Sequence, residues 1–322
     1  MNLEQLLDKL KADRSFSANL TGWQTLPPLP PQYSPFPAAL DPRIIAALKE
    51  RGIEQLYSHQ SQAIEAALGG QNTVVVTPTA SGKSMCYNIP VLSSILKEPS
   101  SRALYLFPTK ALAQDQVVEV KSFADRLGAE IKSYVYDGDT PPAIRQVCRQ
   151  AGHIVITNPD MLHTGVLPHH TKWVKLFENL KYVVIDELHQ YRGVFGSHLA
   201  NLLRRLRRIC EFYGSNPVFL CSSATIANPQ ELAEKLIGAP VAMIDKNGAP
   251  RGEKHMVFYN PPLVGRDGVR EPVVRATTRV AAELLKNGIQ TIVFARSRQN
   301  VEILTTYLRE AVGPGKGSKI MG

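Results

Sequence analysis

Short runs of apolar, often β-branched residues recur along the middle of the chain, and helix-compatible segments separate most of them. Val74-Val75-Val76, Ala103–Phe107, Ser133–Tyr136, His153–Ile156, Tyr182–Ile185 and Val218–Cys221 read as strands. A half-exposed strand alternates apolar with polar residues, whereas these runs are nearly continuous, as strands buried on both faces are. Continuous strands alternating with helices predict an α/β fold, a parallel sheet covered by helices on both faces.

The flanks have a different pattern. Leu3, Leu6, Leu7 and Leu10 fall at helical spacing, which predicts a short amphipathic helix over residues 2–12. Pro27, Pro28, Pro30, Pro31, Pro35 and Pro37 exclude helix and central strand, so this is an extended connector, read as an arm packed along the core in preference to a polyproline II ligand for a partner domain. Asp41-Pro42 supplies a cap and a first-turn proline for a helix carrying Ile44, Ile45 and Leu48, which Gly52 ends. Leu56 to Gln60 then leads into a helix over Gln62–Leu68. Beyond a linker at Asp245–Arg251, His255–Asn260 and Thr291–Phe294 read as strands and Val273–Leu285 as a helix. The organisation expected is an arm over residues 1–40, an α/β domain over 41–245, and a linker with the opening of a second domain over 246–322.

Composition narrows the class. The 322 residues, 44% hydrophobic, carry a net charge of +9, so a polyanionic partner fits. Cys86, Cys148, Cys210 and Cys221 are widely spaced and form no C-x-x-C pair, which argues against a zinc site or disulfide framework and for a reducing compartment. No apolar run approaches the roughly 20 residues of a membrane helix, and no signal peptide is evident. The expectation is a cytoplasmic protein with no membrane association.

The chemistry centres on Thr77-Pro78-Thr79-Ala80-Ser81-Gly82-Lys83-Ser84, which follows the first strand run. Strand, small-residue loop, Gly-Lys-Ser and helix make a P-loop, with Thr77 standing where the pattern has glycine. Backbone N–H groups from Thr79 to Ser84 would cradle phosphates, Lys83 would reach the β- and γ-phosphates, and Ser84 would ligate Mg²⁺. About a hundred residues later the run Tyr182–Ile185 ends in Asp186-Glu187-Leu188-His189. Two adjacent carboxylates at a buried strand end need a cation to offset repulsion and desolvation. Asp186 would hold Mg²⁺ and Glu187 would orient and deprotonate a water. Gln60 has an amide able to donate to and accept from an adenine edge.

Further strand ends carry Pro108-Thr109-Lys110, Asp137-Gly138-Asp139-Thr140, Thr157-Asn158-Pro159-Asp160 and Ser223-Ala224-Thr225. Ligands in such sheets bind beyond the strand C-termini, and helix N-termini gathered there can hold nucleic-acid phosphates. Thr109, Lys110, Thr157 and Asn158 are the candidate contacts. Ser223 and Thr225 are candidates for coupling the Glu187 region to a second domain. Leu199, Leu202, Leu203, Leu206 and Ile209 form one helix face and Arg204, Arg205, Arg207 and Arg208 the other, read as a solvated face rather than a direct contact.

Taken in order, Gln60, the Gly-Lys-Ser loop, Pro108-Thr109-Lys110, Thr157–Asp160, Asp186–His189 and Ser223–Thr225 resemble the motifs of superfamily-two DExH/D-box helicases. Leu56–Gln60, Tyr136–Thr140, Thr157–His163 and Asp186–Ser197 are similar to the bacterial YprA/MrfA-like DExH DNA helicases. That resemblance, from about Ala38 onward, implies two RecA-like domains, the second incomplete in this chain. It implies ATP-driven 3′-to-5′ movement on single-stranded or tailed DNA and a DNA-repair role. Glu187, Lys83 and His189 would be catalytic, and Arg296, within Phe294–Arg298, would belong to the first motif of the second domain and contact nucleic acid. The remaining second-domain motifs, including arginines that reach ATP, and a four-cysteine zinc region have no counterpart. Gly313–Ser318 reads as a flexible basic loop rather than a second P-loop. The alternatives are a non-catalytic nucleotide- and DNA-binding fragment, or a DEAD-box-like RNA remodeller, against which His189 in place of aspartate argues.

Overall fold

The computed structural model describes residues 1–265, 268–313 and 317–322, with Ser318 described by its backbone alone. The chain forms two compact units, one of Leu29–Arg251 and one of Met1–Pro28 together with Gly252–Gly322.

The larger unit is built on seven strands: β1 (Thr73–Val76), β2 (Arg102–Leu106), β3 (Ser133–Val135), β4 (Ile154–Thr157), β5 (Leu180–Ile185), β6 (Val218–Ser223) and β7 (Ala242–Ile244). They lie in the order β7-β1-β6-β5-β2-β4-β3, all parallel. The continuous apolar runs divide cleanly between two cores. Leu104, Leu106, Val183 and Ile185 pack with Leu199, Leu203 and Leu206 of the helix Gly193–Phe212. Ala103, Tyr105, Tyr182 and Val184 pack on the opposite face with Tyr87, Leu92 and Val120 of the helices Lys83–Lys97 and Lys110–Arg126. Because side chains alternate at period two, only a strand apolar at every position can serve both faces. Each fully buried Leu, Val or Phe contributes about 1.5–3 kcal/mol, so this two-sided core is the main stabilising term.

The proline-rich arm is tied down between its prolines. Leu29 and Arg251 exchange backbone hydrogen bonds of 2.8 and 3.0 Å, Gln32 N–H donates to Gly248 at 2.8 Å, and Tyr33–Ser34 pairs antiparallel with Leu56–Tyr57. Asp41 caps the helix Pro42–Glu50 through Arg43 N–H at 2.9 Å. Its carboxyl is also gripped by the Arg43 guanidinium at 3.0 and 2.8 Å, which holds it below the usual carboxylate range. Arg207 is not free on the basic helix face: its guanidinium donates to Ile237 and Gly238 carbonyls at 3.1 and 3.0 Å, closing the end of the helix Pro229–Ile237.

In the smaller unit the helix Leu3–Ala12 starts in a capping box made by Asn2 and Gln5. Leu20–Leu26 pairs antiparallel with Lys254–Tyr259. Helices Val273–Lys286 and Arg298–Val312 pack through Ala281, Ala282 and Leu308. The strand expected at Thr291–Phe294 does not form. The segment hydrogen-bonds to no strand among the described residues, and Ile292 and Phe294 are exposed, so a short apolar run alone does not make a ladder. Of the expected basic loop, Pro314, Gly315 and Lys316 lie outside the described residues, and Gly317–Lys319 makes a 3₁₀ turn. Among the described residues no helix is long and apolar enough to cross a membrane.

Candidate active site

The loop after β1 turns through two left-handed residues, Ala80 (φ 63°) and Gly82 (φ 77°). Gly82 is fixed on two counts: a Cβ there would lie 2.5 Å from Gln60 Nε2, and its φ disfavours any L side chain. Ala80 and Glu187 (φ 53°) are the two non-glycine residues with positive φ among the described residues. Such conformations cost on the order of 1–3 kcal/mol and cluster at functional sites. Thr77, fully buried, shares a 2.6 Å hydrogen bond with Ser81 Oγ. This side chain braces the loop, which accounts for threonine where the pattern has glycine. Lys83 lies across the loop and donates to the Thr77 and Pro78 carbonyls at 2.9 and 3.0 Å. The helix Lys83–Lys97 begins at Gly82 with no side-chain cap. Met85 N–H turns back to the Gly82 carbonyl at 3.2 Å, and the N–H groups of Lys83 and Ser84 before it are the ones a phosphate can take. Thr79 is exposed at the loop's tip.

The sheet order brings the carboxylates to this loop. Only β6 separates β1 from β5, and the register pairs Val76 with Ser223 and Ile185 with Cys221. At about 4.8 Å per strand, Asp186 ends roughly 10 Å across the sheet from the P-loop strand. Asp186 accepts a hydrogen bond from Ser222 Oγ. Burial raises its carboxyl pKa, an effect the Ser222 bond opposes and the neighbouring Glu187 charge adds to. A carboxylate whose charge is costly in the free protein is one that a bound cation stabilises. Ser84 Oγ donates to Glu119 at 3.1 Å, and Gln116 in turn donates to Glu119 at 2.8 Å and accepts from Tyr87. The Ser84 hydroxyl and Asp186 carboxylate are hard oxygen donors of the type Mg²⁺ shares with phosphates, so the set fits that ion.

His189 sits between two partners. Its Nδ1 lies 3.1 Å from Glu187 Oε2 and 3.3 Å from Ala224 N–H. One ring nitrogen cannot donate to the carboxylate and accept from the amide in the same tautomer. The Ser223–Thr225 loop and Glu187 thus compete for one atom. Ser223, fully buried, donates to the Ala224 carbonyl at 2.8 Å, and Thr225 is exposed. The residue on this strand that touches Asp186 is Ser222, which sequence reasoning missed.

The candidate nucleic-acid residues divide. Thr109 Oγ1 caps Leu112 N–H at 3.4 Å, and Asn158 Oδ1 caps Met161 N–H at 2.8 Å. Thr157 is buried and donates to the Tyr136 carbonyl at 2.6 Å. Lys110 is paired with Asp139, and both side chains are more than half exposed. Beside them an open groove of about 900 Å³ is lined by Arg145, Arg149, Lys172 and the 138–142 loop. Arg296 is exposed and lies in the other unit.

Gln60 Oε1 accepts from Tyr57 N–H at 3.0 Å and Nε2 donates to the Gly82 carbonyl at 3.1 Å. The amide borders a cavity of about 400 Å³ lined by Tyr33, Gly52, Ile53, Glu54, Gln55, Tyr57 and Met85. Tyr33 and Tyr57 stack at 5.6 Å along its wall. These aromatic and backbone surfaces suit a flat heteroaromatic base, and only the pairing of Tyr33–Ser34 with Leu56–Tyr57 brings them together.

Residues 57–232 match the family model described as DEAD/DEAH box helicase. The chain is 57% identical over 314 residues to an uncharacterised ATP-dependent helicase, YprA, of Bacillus subtilis, covering 97% of this chain and 42% of that protein. It is 36% identical over 314 residues to the ATP-dependent helicase HRQ1 of Saccharomyces cerevisiae, covering 95% of this chain and 29% of that one. Its fold superposes with a TM-score of 0.93, at 56% identity, on the crystal structure of the DUF1998 helicase MrfA bound to DNA, covering 100% of this chain and 44% of MrfA. The chain thus spans less than half the length of each of these relatives.

Proposed function

Since the chain belongs to the DEAD/DEAH box helicase family, we propose that its larger unit binds and hydrolyses ATP with Mg²⁺ as the first of two RecA-like domains that together drive 3′-to-5′ movement on single-stranded or tailed DNA. The observation that carries the reading is an uncapped P-loop helix set one strand away from the Asp186-Glu187 strand end. The triphosphate takes the loop N–H groups and Lys83, and the base takes the cavity beside Gln60. Ser84 and Asp186 would hold Mg²⁺, which supplies positive charge to the phosphate oxygens. Glu187 accepts a proton from the attacking water as its oxygen bonds to the γ-phosphorus. The β–γ bridging bond breaks and ADP and phosphate leave. A superposing relative, MrfA, has been crystallised with DNA and AMPPNP, which supports both ligands.

The loops at Thr109–Lys110 and Asn158 and the groove lined by Arg145 and Lys172 give the DNA backbone its positive surface. The reading extends to a cytoplasmic role in DNA repair. Lys83→Ala should abolish ATP binding, whereas Glu187→Gln should retain it and block DNA-stimulated hydrolysis in the complete enzyme. Equilibrium binding of a fluorescent ATP analogue and a phosphate-release assay measure the two. Equal loss of nucleotide affinity in both variants would sink the assignment.

A further inference from the structure

His59 is fully buried beside the P-loop, and the phosphate chemistry above makes no use of it. Its ring holds two backbone groups whose roles are fixed. Nδ1 lies 3.2 Å from the N–H of Gly248, which can only donate, and Nε2 lies 3.1 Å from the carbonyl of Ser81, which can only accept. The two bonds together allow one form of the ring, neutral with the proton on Nε2. Burial, and secondarily the nearby Lys83 charge, lower its pKa against the Ser81 bond and favour that neutral form.

The consequence for the loop follows from the planar trans peptide, in which C=O and N–H point in opposite directions. Holding the Ser81 carbonyl toward His59 turns the Gly82 N–H the other way. Gln60, the next residue of the same helix turn, does the same to the Gly82 carbonyl and so to the Lys83 N–H. Two successive carbonyls are thus drawn to one side, and two successive N–H groups are left facing the other as an anion nest. The far side of His59 is equally specified. A Cβ on Gly248 would overlap Ser58 Oγ and lie 2.7 Å from Ser58 N and 2.8 Å from the Gln32 carbonyl, so the segment after β7 approaches this closely only as glycine.

We infer that His59 is a positioning residue for ATP binding: it orients the Ser81–Gly82 peptide toward the phosphates, with its tautomer set by the Gly248 N–H. The inference rests on the ATP-binding reading above. Through His59 the phosphate cradle depends on a segment that leads directly to Arg251, where the larger unit ends.

Two amide substitutions separate the ring's two bonds, since a glutamine nitrogen reaches the place of Nε2 and an asparagine oxygen that of Nδ1. In the full 322-residue chain, His59→Gln should bind Mg-ATP close to wild type. His59→Asn should keep the Gly248 contact and bind Mg-ATP about three- to tenfold more weakly, the value of one hydrogen bond. A residue acting only in folding gives no such split. The ¹⁵N shifts of His59 in the wild-type chain should report the Nε2–H tautomer, and Gly248→Ala should shift them. Wild-type affinity in His59→Asn, equal losses in both amide variants, or an Nδ1–H tautomer would overturn the inference. Failure of the wild-type chain to bind Mg-ATP would overturn the functional reading beneath it instead.

Discussion

Two kinds of helix start line the C-terminal edge of the sheet, and they treat their free N–H groups in opposite ways. The helix after β1 begins at Gly82 with no capping side chain, whereas the segments after β2 and β4 are capped by Thr109 and Asn158. A capped terminus has already satisfied its donor, so what it can offer a ligand is a hydroxyl, a lysine or remaining backbone. An uncapped one leaves N–H groups that an anion can take; the helices Pro142–Ala151 and Pro229–Ile237 also lack a side-chain cap, but each opens on a proline, which removes one such donor. On the proposed function, triphosphate and nucleic acid take different parts of one edge.

The largest effect expected is at the uncapped end. Gly82→Ala introduces a Cβ 2.5 Å from Gln60 Nε2 at φ 77°. Left-handed strain alone is worth about 1–3 kcal/mol, so ATP affinity should fall tenfold or more while DNA affinity without nucleotide stays unchanged. Isothermal titration reads the first and fluorescence anisotropy the second. If ATP binding survives, the loop does not need this geometry.

At the capped ends the order reverses. Thr109→Ala and Asn158→Ala should each cost about 1 kcal/mol of stability, seen in urea melts, with ATP affinity unmoved. A loss of ATP affinity in either variant would erase the distinction between the two kinds of start.

The smallest effect sharpens the reading of the capped side. Lys110 and Asp139 form an exposed pair of the kind worth little to stability, but the aspartate shields a cation offered to phosphate. Asp139→Ala should tighten binding to oligo-dT severalfold, and Lys110→Ala should weaken it and lower the salt slope by about one. Identical slopes for wild type and Lys110→Ala would remove this lysine from the interface.

The features legible in the sequence were those written locally. Continuous apolar runs announced the parallel strands, and Gly82-Lys83-Ser84 with Asp186-Glu187 announced the helicase family, because each needs only a few adjacent residues. Pairing between distant segments was not legible. Nothing near Leu20–Leu26 names Lys254–Tyr259 as its partner, and the three-residue β7 is too short for a period to register. The same limit hid the Tyr33–Tyr57 stack, the Ser84–Glu119 bond and the choice of Ser222 rather than Ser223 beside Asp186. At Thr291–Phe294 the local signal was present and, among the described residues, the partner strand was not, so a short β-branched and aromatic run misled.

The pairing of Leu20–Leu26 with Lys254–Tyr259 also sets a schedule. About 230 residues separate the two strands along the chain. At roughly 5–20 residues per second of synthesis, the first waits on the order of ten to fifty seconds for the second to leave the ribosome. The intervening segment, Leu29–Arg251, contains every strand of its own sheet and can close during that interval. The nascent protein therefore carries Leu20–Leu26 unpaired while its larger unit folds, and a strand made early is among the last elements to find its place.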